Sequence, residues 1–534
     1  MIKNIFKTVG CLFLAAAAFN PVLAQENQTP ASVAKLKMQN IWMNNTNNAA
    51  AGVVDASEHY SISSVGYTRD KGDFNFIQAG NNNSQLKLQS EGGGIYEKVN
   101  NMFMWGKISY TRDVLKGAKF NCLTYDPFRD VPFLLADTNS SKWIRQQYDL
   151  AMKMASPKLF NFLTLGLSGS YMTGTSSKQV DPRPEMKVSK FDIGASLLMS
   201  FGNHHIGFDY NYYNRREDGD ATIMNTLFQS RAWDFVAPGF FKEAEFSANP
   251  IFYIERYYHA HAMGGGVQYG FKNSHWNILL SGNYQQRVED INNEQLHEDP
   301  ENLRKIIGTV KEDIYTGKLV ANYTFNNGNM LSLNASYQDK SVDGIEYYQK
   351  FDSSIEVNGW VINAKYTTSN TSKVDKEVKL DYIVNDGNVY KWWFGVNYAN
   401  RTNDWCYYLP QANQDVTNNI YGAFASRHIP FKKNHSLTIS FNGGFSSNSE
   451  AFMKYEGEGT QPENAGWTDF TLRDFNYLTT NYTKFGGELS YAYSGFRKNE
   501  SMSLFLTVAL DHYTPGTDLF TNRTITNFTL GIAF

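Results

Sequence analysis

Two imidazoles and a thioether stand at alternate positions in His259-Ala-His261-Ala-Met263. Alternate side chains of a strand project to the same side, so this trio would present two nitrogens and a sulfur, donors suited to a soft metal or a haem iron. One strand supplies only part of a coordination shell, and the sequence has no second His-x-His pair to complete it. In the competing assignment, His259, His261 and Met263 cap the aqueous end of a stripe continuing through Val267, Tyr269 and Phe271. That assignment is preferred, and the trio stays as the weak metal candidate of the chain.

Carboxylates gather at Glu289-Asp290, Glu294 and His297-Glu298-Asp299-Pro300-Glu301, where they would hold Ca²⁺ or steer a cationic solute. Asp299 and Pro300 suit the cap and first position of a short helix. The segment lacks the spaced oxygen ligands and glycine of a calcium loop, so a solvated extracellular loop is preferred. Aromatic residues crowd Trp392-Trp393-Phe394 and Trp405-Cys406-Tyr407-Tyr408. Trp392 and Phe394 share a parity with Val396 and Tyr398, as residues of an interfacial girdle do, whereas Trp393 has the opposite parity and is the candidate stacking contact for a sugar or other planar solute. Cys122 and Cys406 both fall in expected long loops, and a disulfide between them is the less favoured reading. Glu488 and Asp209 have the inward parity, but neither has an assignable Ser or His partner, and nothing resembles an activated nucleophile. The expectation is a non-enzymatic protein without a cofactor.

The elements that must position these residues are strands. In the last eleven residues, Phe528, Leu530, Ile532 and Phe534 share one parity, opposed by Asn527, Thr529, Gly531 and Ala533. A strand with that period has one apolar face and one small or polar face. The pattern recurs in Leu163, Leu165 and Leu167, in Ile193, Ala195, Leu197 and Met199, in Ile206, Phe208, Tyr210 and Tyr212, and in Leu504, Leu506, Val508 and Leu510. Short links at 202–204, 271–274, 326–329, 385–388 and 430–434 take turns with long ones at 114–146, 215–256, 288–311 and 447–477. Short turns at one end and long loops at the other are the layout of an outer-membrane barrel, a rhythm that soluble sandwiches do not impose. The fold expected is all-β: a single transmembrane antiparallel up-and-down β-barrel of about 18 strands (roughly 16–20), with short periplasmic turns and long extracellular loops. Residues 345–376 are the doubtful region, and an even strand count favours a hairpin in an extracellular loop there.

Composition agrees with this reading. The chain has 33 Tyr, 37 Phe, 10 Trp and 41 Gly but only 14 Pro, which fits many alternating strands with rings at membrane interfaces. A net charge of −3 argues against nucleic acid as a partner. Lys3 and Lys7, the apolar run 9–19 and Val22-Leu23-Ala24 read as a signal peptide over residues 1–24. Residues 25–58 are expected as a short periplasmic segment, too short for a plug domain, and 59–534 as the barrel.

The signal peptide, plugless start, Tyr- and Asn-rich strands with long loops, and terminal Phe534 resemble outer-membrane β-barrels of Bacteroidetes. Within these the chain is similar to a family of large barrels of largely unknown function, with the barrel size of a TonB-dependent receptor. The resemblance covers nearly the whole mature chain and implies integral residence in the outer membrane of a Gram-negative bacterium. It supplies no catalytic residues. Phe528, Leu530, Ile532 and Phe534 then look like the signal read by the barrel assembly machinery. The leading expectation is a channel or passive transporter for a small solute or nutrient. The alternative is a binding or scaffold barrel whose long loops dock a surface lipoprotein, receptor or secretion partner.

Overall fold

The computed structural model describes residues 28–55, 59–224, 231–237, 240–245, 253–295, 305–354, 359–409, 411–432, 434–455, 466–494 and 502–534. Where one parity is apolar and the other small or polar, the chain is extended. The first strands are β1 (Tyr60–Lys71), β2 (Asn82–Tyr96), β3 (Met102–Ala118), β4 (Leu134–Asp137), β5 (Ser141–Ala155), β6 (Leu163–Lys178), β7 (Arg183–Phe201) and β8 (His204–Thr222). There follow β9 (Arg231–Ala237), β10 (Phe240–Glu245), β11 (Tyr253–Lys272), β12 (Trp276–Gln295), β13 (Lys305–Thr324), β14 (Met330–Phe351) and β15 (Trp360–Asp386). The last are β16 (Val389–Tyr407), β17 (Ala412–Lys432), β18 (His435–Tyr455), β19 (Tyr482–Tyr493), β20 (Ser503–Pro515) and β21 (Arg523–Ala533).

All but β4, β9 and β10 form one 18-stranded antiparallel sheet. β21 pairs with β1, with Val65 opposite Leu530 and Tyr67 opposite Phe528, so the sheet closes into a barrel without an edge. The three remaining strands make a small separate sheet in the order β10-β9-β4. Leu165, Leu167, Leu504, Leu506, Phe528 and Leu530 lie exposed on the outer wall, as their parity predicts. Among the described residues no helix is long and apolar enough to cross a membrane.

Several strands run on into the expected long loops. β15 is 27 residues long, where about 9–11 suffice to span a bilayer. Its outer part pairs with β14 from Ile345 to Phe351, so the doubtful region is a hairpin continuing the wall. β12 reaches Gln295, which places Glu289 and Asp290 in a strand and corrects their assignment to a solvated loop. Charged residues keep the period here and the ladder still satisfies the backbone. The rest of that acidic stretch, 296–304, lies outside the described residues.

Of the stretch expected as a periplasmic segment, the described part, 28–55, sits in the mouth of the barrel at the short-turn end. Thr29 caps the helix Pro30–Gln39, accepting from the Ser32 N–H at 3.2 Å, with Pro30 at the first position. The chain then coils through Ile41–Asn45, Ala49–Ala51 and Gly52–Asp55. Ile41, Trp42, Ala50 and Ala51 are buried with inward-facing Leu198, Leu279 and Val320. Burying Trp42 alone contributes on the order of 3 kcal/mol. The segment was illegible as a filler because it is short and rich in Asn and Ala, which fit a crowded mouth without forming an apolar stripe.

Candidate functional site

The lumen is occupied from both ends by parts of this chain. At the short-turn end, fully buried Asn48 donates through Nδ2 to the Leu197 carbonyl at 3.1 Å and to Gln268 Oε1 at 2.9 Å. Lys35 donates to the Gly387 carbonyl at 2.6 Å and Lys272 to that of Val54 at 2.7 Å. Gly270 makes room for the segment, since a Cβ there would overlap the Trp42 ring.

At the long-loop end, the connection from β3 to β5 folds inward. Phe120 N–H donates to Asp137 O at 2.8 Å and Cys122 N–H to Leu135 O at 3.0 Å, so the loop partly pairs with itself. Phe120, Val131, Phe133 and Leu134 pack on inward-facing Tyr258, Ile291, Val310 and Val342. Cys122 is buried with Leu123, Leu135 and Met186, whereas Cys406 has the outward parity on β16, and no disulfide joins them.

A chain of alternating charges fastens this loop. Arg215 contacts Glu217 at 2.7 Å, and Glu217 lies 3.4 Å from Arg129 of the loop. Arg129 reaches Glu289 at 2.6 Å, and Glu289 also pairs with Arg287. Arg287 grips Glu312 with two bonds of 3.0 and 2.9 Å. Glu312 meets Lys340 at 2.7 Å, and Lys340 lies 3.2 Å from the loop's Asp130, which Lys373 also holds. Burial pushes the Asp130 carboxyl up, but Lys373 and Lys340 outweigh that and hold it below the usual carboxylate range. Arg256, almost wholly buried, donates to the Phe133 carbonyl at 2.8 Å. Of these residues sequence reasoning singled out only Glu289, as a loop carboxylate, and it missed the rest because it ended the strands early. The signal was present: Arg215-x-Glu217 and Arg287-x-Glu289 keep the inward parity of Asp209 and Leu279.

A cavity of about 230 Å³ opens between the inward loop, the segment carrying Phe76 and the helical segment Gly466–Leu472 with Arg473–Thr479. Its walls include Phe76, Phe128, Trp405, Phe470, Phe475 and Leu478, with Thr371, Gln414 and Thr471 among the polar lining. Arg473 donates to the carbonyls of Asn75 and Asp73, both at 2.8 Å. Asp474 accepts the Ile77 N–H at 3.0 Å and pairs with Arg473. Burial dominates at Asp474 and pushes its carboxyl up to about 7, against the pull of Arg473.

Of the residues singled out by sequence, Glu289 is in the charge chain and Trp405 lines the cavity, whereas the metal candidates and Trp393 lie apart from this site. His259, His261 and Met263 have the outward parity on β11. His261 shares its Nδ1 with Tyr212 at 2.7 Å and Asn214 at 3.2 Å, His259 lies 3.9 Å from Asp218, and Met263 is exposed. Among the described residues no cluster of three or more His, Cys, Asp or Glu side chains is arranged to hold a metal. Trp393 faces inward as its parity requires, but near the short-turn end, where Nε1 donates to Asp381 at 3.0 Å and the ring packs on Tyr390 and Phe424. Trp405, in the second aromatic patch, is the tryptophan that lines the cavity.

The barrel aligns with solved structures at low identity. The ferric preacinetobactin receptor BauA from Acinetobacter baumannii is 11% identical, with 88% of this chain and 80% of that chain covered and a TM-score of 0.40. The ferric yersiniabactin uptake receptor FyuA from Yersinia pestis is 8% identical, with 90% and 80% covered and a TM-score of 0.38. No curated protein matches the sequence. A family model described as a family of unknown function, DUF6850, matches residues 49–534. The chain therefore belongs to the DUF6850 family.

Proposed function

We propose that the protein resides in the outer membrane of a Gram-negative bacterium and passes a small solute through a lumen that its own segments hold shut at rest. The apolar outer wall and the alternation of short turns with long loops support that location, with lipid and the barrel assembly machinery as partners. The observation that carries the reading is the seating of two chain segments inside the lumen. Neither is part of the barrel sheet, so each is able to leave while the wall stays hydrogen-bonded. Between them the wall is not filled by packing: Glu377, Arg401 and Glu488 have the inward parity and remain exposed. A passage lined by both signs of charge suits a polar solute, and the function requires no reaction.

Ion conductance in planar bilayers tests this. The whole chain should conduct little. Deleting residues 28–55 and replacing Arg129 by Ala should together produce sustained openings, because the deletion clears one end and the substitution leaves Glu217 and Glu289 buried without that partner. Removing one member of a buried pair costs about 3–5 kcal/mol. A folded double variant that stays silent overturns the passage reading and favours the scaffold alternative, in which the long loops dock a surface lipoprotein or receptor. The occupied lumen is the observation on that side.

A further inference from the structure

We propose that the cavity under the helical segment 466–479 is a binding site for one small, uncharged, planar molecule of one or two rings that carries a hydroxyl or amide group. Three observations carry this. First, the walls are aromatic on several sides. Phe76, Phe128, Trp405, Phe470 and Phe475 come from four separate parts of the chain, and rings so placed accept a flat ligand in stacked or edge-to-face contact. Second, Thr471 lines the cavity and is only 3% exposed, and its hydroxyl is buried without a hydrogen-bond partner. A buried hydroxyl left unmade costs about 1–3 kcal/mol, which rotation of the side chain toward a ligand oxygen or nitrogen in the cavity would recover. Third, the charged groups at the cavity are already matched: Lys373 with Asp130, and Asp474 with Arg473 and the Ile77 N–H. A charged ligand would have to break one of these pairs, so the site selects a neutral one.

Size and polarity narrow the class. An apolar cavity of about 150 Å³ accommodates benzene, so about 230 Å³ takes a single substituted ring or two fused rings. Sugars also stack on aromatic side chains, but each ring brings several hydroxyls. Of the polar lining, Gln78, Asp130, Lys373 and Asp474 are bonded within the protein, and the remaining Ser369, Thr371, Gln414 and Thr471 would leave most of those hydroxyls unpaired. An arene with one polar substituent matches the lining better.

Six residues of the inward loop, Pro127, Phe128, Asp130, Val131, Pro132 and Leu134, line the cavity, and Asp130 is also in the charge chain. A ligand seated here therefore touches the loop that occupies the lumen. Binding is measured without flux, so its failure and the failure of the passage reading are distinguishable.

The test uses the full chain in lipid nanodiscs, because detergent would compete for an apolar cavity. Titration calorimetry with 4-hydroxybenzamide and with 2-naphthol should give saturable one-to-one binding of at least one probe, with glucose inert. Thr471→Val should weaken that binding about tenfold, the equivalent of one hydrogen bond. Trp405→Ala should weaken it by at least as much, while Phe394→Ala on the outer wall leaves it unchanged. Heat-modifiable gel mobility identifies variants that retain the barrel. Absence of saturable binding of either arene into the millimolar range, tighter binding of glucose, or equal binding by wild type and both folded cavity variants would each overturn the assignment.

Discussion

Leu506 and Thr507 are neighbours on β20 with opposite surroundings. Leu506 is exposed on the outer wall, and Thr507 faces inward and shares a hydrogen bond of 2.8 Å with Ser490. In a bilayer the first position meets lipid, where Arg costs about 2–4 kcal/mol at the midplane and less near the interfaces. Leu506→Arg should therefore lower the folded fraction on insertion into lipid vesicles, while Thr507→Arg folds nearly as wild type. Equal yields would refute the assigned faces. The same contrast explains what was legible residue by residue. Outward positions carry one requirement, apolarity, and parity displays it. Inward positions are chosen by particular neighbours, as Gly270 is by Trp42 and Glu289 by Arg129, and those neighbours are far away in sequence. Trp393 and Trp405 share the inward parity, and only the placement of the two occupying segments distinguishes a packed ring from a cavity wall.

Among the elements, the helix Arg473–Thr479 holds a group that responds near neutral pH. The Asp474 carboxyl is raised to about 7 from 3.8 because burial disfavours its charged form. In the docked state it keeps its proton to higher pH than when the helix swings into water. Docking is therefore most favourable below about pH 4, weakens as pH rises from there to about 7, and levels off above that. Hydrogen exchange of residues 466–479, corrected for intrinsic rates, should show more protection at pH 5 than at pH 8, and Asp474→Asn should remove the difference. Protection independent of pH in the unmodified protein would count against this. Strands were legible as elements because their period is two over many residues. The helix Pro30–Gln39 and the inward loop were not, because each is shaped by the cavity it enters and not by a pattern of its own.

For the whole molecule, closure is the decisive property, and it rests on the pairing of β21 with β1. Phe534 extends that seam: its N–H donates to Ser61 O at 2.9 Å, and its carbonyl accepts from Ser61 N–H at 2.6 Å. Deleting Phe534 removes two bonds from a long ladder, a modest loss of stability. If the stripe Phe528, Leu530, Ile532 and Phe534 is also the signal read during assembly, the truncated chain should refold in detergent nearly as well as the full one. It should yield several-fold less membrane-inserted protein in cells. Normal insertion of the truncated chain would show that no such signal resides in its last residue.

The N-terminal segment has a consequence for the order of events in folding. Gln28 hydrogen-bonds to the carbonyl of His59 and accepts from Ser503, and Val33 packs with Ala492, Phe505 and Ala533. The earliest described residues are thus held by strands far along the sequence, at the junction where the sheet seals. Ser503 is 475 positions from Gln28, and contacts of such separation form late because the intervening chain must first be ordered. This segment is therefore among the last parts to settle, and its protection from protease reports that the cylinder has sealed.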